Sequence, residues 1–316
     1  MQEIQMLLAD EILALEEQIK AFVKSDSQLL QQVTQHVFQA PGKQIRPMLV
    51  FLAAGACGGI NAKTLRGAVL VTLLHQASLV HDDVVDQATY RRGRPAIGTV
   101  WNNKVAVLLG DYLLAKTLRM ATQHLDNDLL SLITETAQVM SEGEFLQLEK
   151  IYADNITEAV YLDVIYQKTA HLFGTCLAVG ATAVGAPAAQ VATLRQAGEQ
   201  IGMAFQLKDD WLDYSDKALD KPQGIDLQEG HITLPLIHAL QQATEQEKRT
   251  ILYALRQARH NPQQHKEVLA FVRQSSGMNY TRKMMRQYQD QALQILTDMA
   301  ESPYQEALCA LIQHII

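Results

Sequence analysis

Apolar residues recur three or four positions apart along most of this chain, as they do at Ile4, Leu7, Leu8, Ile12 and Leu15. At about 3.6 residues per turn, this spacing places them on one face of an α-helix. The strict alternation of apolar and polar residues that is typical of a half-buried strand is nearly absent. The sequence therefore predicts an all-α fold, with helices separated by short breaks rich in glycine and proline.

Two aspartate clusters of the same form, Asp-Asp-x-x-Asp, lie at the ends of apolar helical segments. The first aspartate cluster is Asp82–Asp86 and the second aspartate cluster is Asp209–Asp213. The first and fifth positions of such a cluster share one helix face, so each cluster directs two carboxylates to one point. Like charges at this spacing destabilise a helix unless a cation lies between them. Magnesium with a diphosphate fits best, because Mg²⁺ usually takes one or two carboxylates together with phosphate oxygens.

A single cluster of this kind is most often a solvated helix face. Two clusters in apolar surroundings favour a functional site instead. The segment Gly67 to Val85 is apolar almost all round until it reaches His81 and the aspartates, and such a helix is buried. Ala197 to Tyr214 repeats the arrangement, with apolar residues such as Ile201, Met203 and Leu207 ahead of its aspartates. An EF-hand is excluded, since neither cluster has alternating acidic ligands, a central glycine and a closing glutamate. The sequence thus predicts a deep apolar cavity with metal ions at its mouth.

The composition predicts a single globular domain spanning residues 1–316. Hydrophobic residues make up 48% of the chain, enough for a large core, and the glycines and prolines gather into no linker. The formal net charge of -7 argues against a general nucleic-acid binder, which needs a basic surface to neutralise phosphates. The cysteines Cys57, Cys176 and Cys309 are odd in number and lack metal-ligand spacing, as expected of a reduced cytoplasmic protein.

No segment of the sequence predicts export or a membrane span. The first residues lack a basic region followed by an apolar run, so we expect no signal peptide. The stretch from Leu172 to Leu194 carries no charge over a length that could cross a bilayer. Because it consists mostly of Ala, Gly and Thr, it instead predicts a close-packed interior helix that ends near Gly185-Ala186-Pro187.

Basic residues flank the first aspartate cluster in segments that predict loops. Gly42-Lys43-Gln44-Ile45-Arg46-Pro47 lies upstream, and Arg91-Arg92-Gly93-Arg94-Pro95 follows the cluster. Alone, such a turn is usually solvated surface. A site that holds a diphosphate nevertheless needs fixed donors, and arginine forks suit phosphate oxygens. Lys168 and Lys221 are further candidates.

A family resemblance is carried by Gly42-Lys43-x-x-Arg46-Pro47, His75, the His81–Asp86 segment, Arg91-Arg92-Gly93, Lys168-Thr169, Phe205-Gln206, the second aspartate cluster and Lys221-Pro222-x-Gly224-x-Asp226-Leu227. In this order and at this spacing, these motifs resemble those of the trans-polyprenyl diphosphate synthases. Among bacterial members, the chain most resembles the medium- to long-chain type, such as heptaprenyl diphosphate synthase. The resemblance implies an all-α, single-domain helical bundle of the isoprenoid-synthase type with a deep central cavity.

The resemblance also implies roles for the matching residues. The Mg²⁺ ligands would be Asp82, Asp86 and Asp209, with about three ions per active site around bound diphosphate. Support through water or neighbouring contacts would come from Asp83, Asp210 and Asp213. The allylic diphosphate would be held by Arg91, Lys168 and Lys221. The diphosphate of isopentenyl diphosphate would be held by Lys43, Arg46, His75 and Arg92. The reacting carbons would be lined by Thr169 and Gln206.

Four positions depart from the family pattern. Gln44 stands where a basic residue is common, and Pro41 stands where a glycine is common. His231 occupies a place often held by a lysine that contacts diphosphate, which puts that contact in doubt. Gln147 lies in a helical segment where an acidic residue is frequent. The changes at Gln44 and Pro41 remove no principal ligand.

Product length in this family is gated one or two turns before the first cluster, and here those positions are Ala77 and Ser78. Both are small, whereas short-chain members place a bulky aromatic residue at one of them. The growing chain would therefore pass Ala77 and reach deeper residues such as Leu70, Leu73 or Leu74. We expect a product of about six to nine isoprene units, for quinone side chains, because the depth of the pocket limits the chain. A geranylgeranyl or short-chain synthase is the alternative.

Two other functions fit the sequence less well. A terpene cyclase usually has an Asn/Asp, Ser/Thr, Glu motif at the second metal site, and the intact second cluster argues against it. A noncatalytic regulatory subunit generally loses aspartates or basic ligands, and this chain keeps both. The resemblance implies a homodimer; an active subunit that requires a small, unrelated partner is the other possibility. A product this apolar predicts transient delivery to a membrane surface.

Overall fold

The structure, a computed structural model, describes residues 1–39, 42–151, 156–215, 224, 227, 231–258 and 261–316. Nearly all regular structure in these residues is helical, which confirms the predicted all-α fold. One short hairpin, formed by the antiparallel strands β1 (Tyr90–Arg91) and β2 (Arg94–Pro95), was not predicted. The single domain and the deep central cavity stay predictions.

The helices follow one another with short connections. Those before residue 152 are α1 (Gln2–Leu7), α2 (Ala9–Phe22), α3 (Gln28–Phe38), α4 (Ile45–Cys57), α5 (Ala62–Val85), α6 (Ile97–Val100), α7 (Asn103–Gln123) and α8 (Asn127–Ile151). The later ones are α9 (Glu158–Ile165), a π-helical turn (Tyr166–Ala170), α10 (His171–Ala183), α11 (Ala188–Tyr214), α12 (Leu234–Gln242), α13 (Glu245–Ala258), α14 (Pro262–Gln274), α15 (Gly277–Thr297) and α16 (Pro303–Ile315).

The chain divides into two compact units, each assembled from segments that are distant in sequence. Unit 1 comprises Met1–Ala137, Thr175–Arg195 and Leu296–Leu311. Unit 2 comprises Gln138–Gly174, Gln196–Ile295 and Ile312–Ile316. The first aspartate cluster therefore belongs to unit 1, and the second belongs to unit 2.

Helix α5 is the central element of unit 1, and it begins at a capping box. The Asn61 side-chain oxygen accepts from the Thr64 amide at 2.9 Å, and the Asn61 amide donates to the Thr64 hydroxyl at 3.3 Å. These bonds satisfy two backbone donors that have no partner inside the helix. Between Gly67 and Val80 most residues are buried, which confirms the prediction from the apolar sequence. The first cluster thus lies where the buried part of α5 ends.

Glycines allow α10 and α4 to approach closely in unit 1. A Cβ atom on Gly180 of α10 would lie 2.3 Å from the carbonyl oxygen of Val50 on α4. Real Cβ atoms do not approach oxygen this closely, so the packing requires glycine. The uncharged stretch was predicted to form an interior helix ending near Gly185, and α10 ends at Ala183 with buried residues on most sides. Among the described residues, no helix is both long enough and apolar enough to traverse a bilayer.

Two hydrophobic clusters in unit 2 fix the end of α11, which carries the second aspartate cluster. One joins α9, α11 and α12 through Tyr161, Ile165, Met203, Leu207, Leu234 and Ile237. The other packs Tyr214 against α12, α13 and α14 through Leu236, Ile251, Val268 and Val272. Tyr214 is fully buried. The carboxylates of α11 therefore extend from a backbone that is held firmly before and after them.

Candidate active site

The first aspartate cluster occupies the last turn of α5. Asp86 ends the helix, and its amide donates to the carbonyl oxygen of Asp82 at 2.8 Å. Asp82 and Asp86 are partly exposed, whereas Asp83 is only 8% exposed. The first and fifth carboxylates therefore share the accessible face, as the spacing predicted.

The carboxylate of Asp83 forms an ion pair with Arg91. The Arg91 guanidinium places its Nε 2.7 Å and its nearer terminal nitrogen 2.5 Å from Asp83 Oδ1. Burial raises the pKa of Asp83, and the charge and hydrogen bond of Arg91 oppose that shift. Arg91, predicted to hold the allylic diphosphate, thus also neutralises the inward carboxylate of the cluster.

The hairpin after α5 places Arg91 and Arg92 beside the cluster. Its two central residues are Arg92 and Gly93, with φ of +51° and +73°. Two positive φ values in a two-residue hairpin loop are typical of a type I′ turn, which matches the twist of the strands. The Arg92 guanidinium lies over Gly42. A Cβ atom on Gly42 would be 3.0 Å from Cζ, the central carbon of that guanidinium. The turn therefore brings Arg92 to the Gly42-Lys43 motif.

Arg46 and the hairpin arginines Arg91 and Arg92 form a concentration of positive charge around His75 in unit 1. The pKa of Arg46 is lowered to about 10, chiefly by burial and additionally by Arg92. The pKa of His75 lies well below its ordinary value, because burial disfavours the imidazolium and three arginines, Arg46, Arg92 and Arg91, add repulsion. Such a group of cations favours an anionic ligand. Lys43 is exposed at the start of the same segment.

The lowered pKa of His75 predicts a loss of stability in mild acid. Above about pH 6.5 neither the folded nor the unfolded chain binds a proton here, so His75 contributes no pH dependence. Below it the unfolded chain takes up a proton that the folded chain refuses, so the free energy of unfolding falls, by at most about 1.4 kcal/mol per pH unit. We expect His75→Gln to make urea unfolding less pH-dependent between pH 7.5 and 5.5. His124→Gln, at an exposed histidine, is the control; equal slopes in all three proteins would contradict the expectation.

The second aspartate cluster repeats the division seen in the first. Asp209 is exposed and Asp213 partly exposed, but Asp210 is only 3% exposed. The Tyr161 hydroxyl donates to Asp210 Oδ2, and Gln206 Nε2 donates to Asp210 Oδ1 at 2.8 Å. Burial raises the pKa of Asp210, and these two hydrogen bonds oppose the shift.

Thr169 and Lys168 lie in the π-helical turn between α9 and α10. The Thr169 hydroxyl donates to Gln206 Oε1 at 2.9 Å, which extends the network from Tyr161 through Asp210 to the predicted reacting centre. Lys168 Nζ lies 2.6 Å from Glu144 Oε1 and 2.7 Å from Gln147 Oε1. A π-turn inside a helix often marks a functional site, because it changes which side chains share a face.

The predicted residues thus fall into two groups. Unit 1 holds the first cluster with Lys43, Arg46, His75, Arg91 and Arg92; unit 2 holds the second cluster with Lys168, Thr169 and Gln206. Of the predicted chain-length residues, Leu74 and Ala77 are buried on α5, and the hydroxyl of the partly buried Ser78 donates to the His75 carbonyl oxygen at 2.9 Å. Lys221 lies outside the described residues. Sequence reasoning missed Tyr161 and Glu144 as members of the site.

Comparison with known proteins assigns the chain to a family. The family model described as Polyprenyl synthetase matches residues 27–272, which is more than half of the chain. The chain belongs to the polyprenyl synthetase family. This confirms the predicted resemblance to the polyprenyl diphosphate synthases. As a member of this family, the chain is a chain-elongating prenyltransferase.

Three members of the polyprenyl synthetase family illustrate the likeness. All-trans-nonaprenyl-diphosphate synthase (geranyl-diphosphate specific) of Rhodobacter capsulatus is 38% identical over 97% of this chain and 94% of its own. Heptaprenyl diphosphate synthase component 2 of Geobacillus stearothermophilus is 39% identical over 74% of this chain and 73% of its own. The crystal structure of polyprenyl synthase from Caulobacter crescentus CB15, complexed with calcium and isoprenyl diphosphate, is 30% identical, covers 99% of this chain and 96% of its own, and has a TM-score of 0.93.

Proposed function

We propose that this prenyltransferase elongates an allylic diphosphate, such as farnesyl diphosphate, with isopentenyl diphosphate in a Mg²⁺-dependent reaction. The product would contain about six to nine isoprene units and would supply quinone side chains. The observation that carries the proposal is the shared arrangement of the two aspartate clusters. In each, the second aspartate is buried and tied to donors, while the first and fifth remain accessible. A metal ion can reach only accessible carboxylates, and each cluster offers two of them, the number that Mg²⁺ commonly takes from protein.

The side chains present fit Mg²⁺ by their chemistry. Carboxylate oxygens are hard metal ligands. In the two aspartate clusters, the accessible carboxylates are those of Asp82, Asp86, Asp209 and Asp213. Within the described ranges, no three or more His, Cys, Asp or Glu side chains converge on one metal position. Mg²⁺ commonly takes one or two carboxylates and completes its shell with water and phosphate. When bound, the metal would stabilise the charge of the departing diphosphate. Calcium with isoprenyl diphosphate in the Caulobacter relative supports a divalent ion here.

The remaining chemistry is ionisation, addition and elimination. The bond between C1 and oxygen of the allylic substrate would break, with its electron pair leaving on the diphosphate, which Arg91, Lys168 and Lys221 would hold. The double bond of isopentenyl diphosphate, held by Lys43, Arg46, His75 and Arg92, would form the new carbon–carbon bond at C1. Loss of a proton from the resulting cation to the released diphosphate would restore a double bond. The buried apolar residues of α5 would keep water from the cation.

Elongation by the purified chain tests this proposal. We expect the chain alone, given farnesyl diphosphate, isopentenyl diphosphate and Mg²⁺, to form products of about six to nine isoprene units, because every side chain with a role in the proposed reaction belongs to this chain. Mass spectrometry of the dephosphorylated products gives their length. Chelation by EDTA should abolish the reaction, and added Mg²⁺ should restore it. Farnesyl diphosphate recovered unchanged, with and without Mg²⁺, would contradict the proposal.

Two narrower alternatives have distinct outcomes in this assay. Products of four units would indicate a geranylgeranyl or short-chain synthase. Activity that appears only after a small partner protein is added would indicate a heteromer, which the name of the Geobacillus relative, component 2, supports as the second candidate. A homodimer, cytoplasmic location and transient membrane delivery of the product stay predictions.

A further inference from the structure

Lys168 is held against α8 by an unusually close contact between that helix and the π-helical turn. A Cβ atom on Gly143 of α8 would lie 2.8 Å from Gln167 Cβ and 3.1 Å from Lys168 Cγ. Because glycine leaves this space open, the lysine stem can run along α8. Its ammonium then reaches Glu144 and Gln147, three residues apart on one face of the helix.

The hydrogen bonds beyond Lys168 have only one consistent direction. An ammonium group can only donate, so the side-chain oxygen of Gln147 must face Lys168, at 2.7 Å. The amide nitrogen of Gln147 must then point away, and it lies 3.0 Å from Nε2 of His231. Since an amide nitrogen only donates, Nε2 of His231 has to accept, and in this arrangement it carries no proton. Two of the four positions that depart from the family pattern, Gln147 and His231, thus contact each other.

We propose that His231 and Gln147 are positioning residues for Lys168, with His231 acting through Gln147. His231 fixes the orientation of the Gln147 amide, and Gln147 presents its oxygen to Lys168. Glu144 and Gln147 take two of the three N–H groups of the ammonium, and the third donates to an oxygen of the allylic diphosphate. In this chain, residue 231 serves that diphosphate through the orientation of Lys168 and not by direct contact. The proposal rests on the proposed function.

Three substitutions test the positioning chain. Q147L removes the acceptor for Lys168, and H231L removes the acceptor that orients Gln147. We expect either one to raise KM for the allylic diphosphate roughly tenfold, the size typical of losing a supporting contact to a ligand, and to leave KM for isopentenyl diphosphate unchanged. The double variant should be no worse than Q147L alone, since His231 acts only through Gln147. H231Q, which can present a carbonyl oxygen to Gln147, should stay within about twofold of the wild type.

H231K distinguishes the proposed positioning role of His231 from a direct contact between residue 231 and diphosphate. A lysine places donors opposite the Gln147 amide, so we expect KM for the allylic diphosphate to rise. If residue 231 contacted diphosphate itself, the same substitution would lower that KM and overturn the proposal. The matched control is Q138L, because Gln138 also lies on α8 and donates to a glutamate, Glu142, at 2.8 Å. Within the part of the chain that the structure describes, Gln138 hydrogen-bonds to neither Lys168 nor His231. If the increases in KM caused by Q147L and H231L added in the double variant, the proposal would likewise be overturned.

A second measurement tests the positioning of Lys168 independently of the proposed function. The rate at which an amine-selective acylating reagent modifies Lys168, read by peptide mass mapping, requires no turnover. We expect Q147L and H231L to change this rate in the same direction, and H231Q to leave it near the wild-type rate. A wild type that elongates nothing would overturn the proposed function, and the acylation rates would still decide the positioning. Wild-type rates in Q147L and H231L would contradict it.

Discussion

Replacing Asp82 by asparagine should lower kcat/KM for elongation by about 10³-fold. Asparagine has nearly the same shape, so α5 should keep its fold, but it brings no negative charge to the accessible face that Asp82 shares with Asp86. A metal that neutralises a departing diphosphate contributes several kcal/mol to the transition state, and each 1.36 kcal/mol corresponds to about tenfold in rate. Steady-state rates at increasing Mg²⁺ concentration measure the effect, and higher Mg²⁺ should be needed for half-maximal rate.

The matched control for this substitution is Asp290→Asn, at an exposed aspartate on α15. It removes the same charge from the chain at a position away from either aspartate cluster in sequence, and its kinetics should match those of the wild type. A rate and Mg²⁺ dependence in the Asp82 variant that match the control would remove Asp82 from the proposed metal ligands. Circular dichroism of both variants would distinguish loss of chemistry from loss of fold.

Replacing Ala77 by phenylalanine should shorten the product to about four units or fewer. Ala77 is 3% exposed and lies on α5, five residues before Asp82. A phenyl ring there would block the path that the growing chain is proposed to follow toward Leu74. Overpacking of a buried site usually costs about 1–3 kcal/mol of stability, so a fall in Tm should accompany the change. Chain length by mass spectrometry and Tm by calorimetry are read on the same sample.

Ala77→Ser provides the comparison, because serine stays small and leaves the path open. We expect its products to keep the wild-type length. If the phenylalanine variant made products of wild-type length at a lower Tm, the ring would have disturbed packing without reaching the product, and the gate would lie elsewhere. A parallel change at Ser78, the other small position, would then be the next substitution to measure.

The sequence predicted those parts of the site that depend on local spacing. The accessible faces of both clusters follow from the 3.6-residue period, and the burial of α5 follows from its unbroken apolar stretch. The end of α10 before Gly185 is likewise a local feature. In each case the physical cause lies within a few residues of its effect, so a single sequence contains it.

The parts that escaped prediction depend on tertiary contacts. Tyr161 became a partner of Asp210 only because α9 packs against α11. Glu144 reaches Lys168 because Gly143 lets α8 approach the π-helical turn, whose register the periodicity of apolar residues does not reveal. The short hairpin escaped because two-residue strands are too brief to show alternation. None of these contacts has a signature in spacing along the chain.

Arg92 combines a positive charge with a backbone conformation that lowers the stability of the folded chain. Its φ of +51° lies in the left-handed region, which glycine and asparagine adopt readily. A residue with a long side chain in this conformation lowers the free energy of unfolding by roughly 1–2 kcal/mol. Arg92 nevertheless occupies the first central position of the turn, with its guanidinium over Gly42. Selection for thermostability alone would favour asparagine there. The proposed contact of Arg92 with the diphosphate of isopentenyl diphosphate would account for an arginine at a position whose backbone favours asparagine.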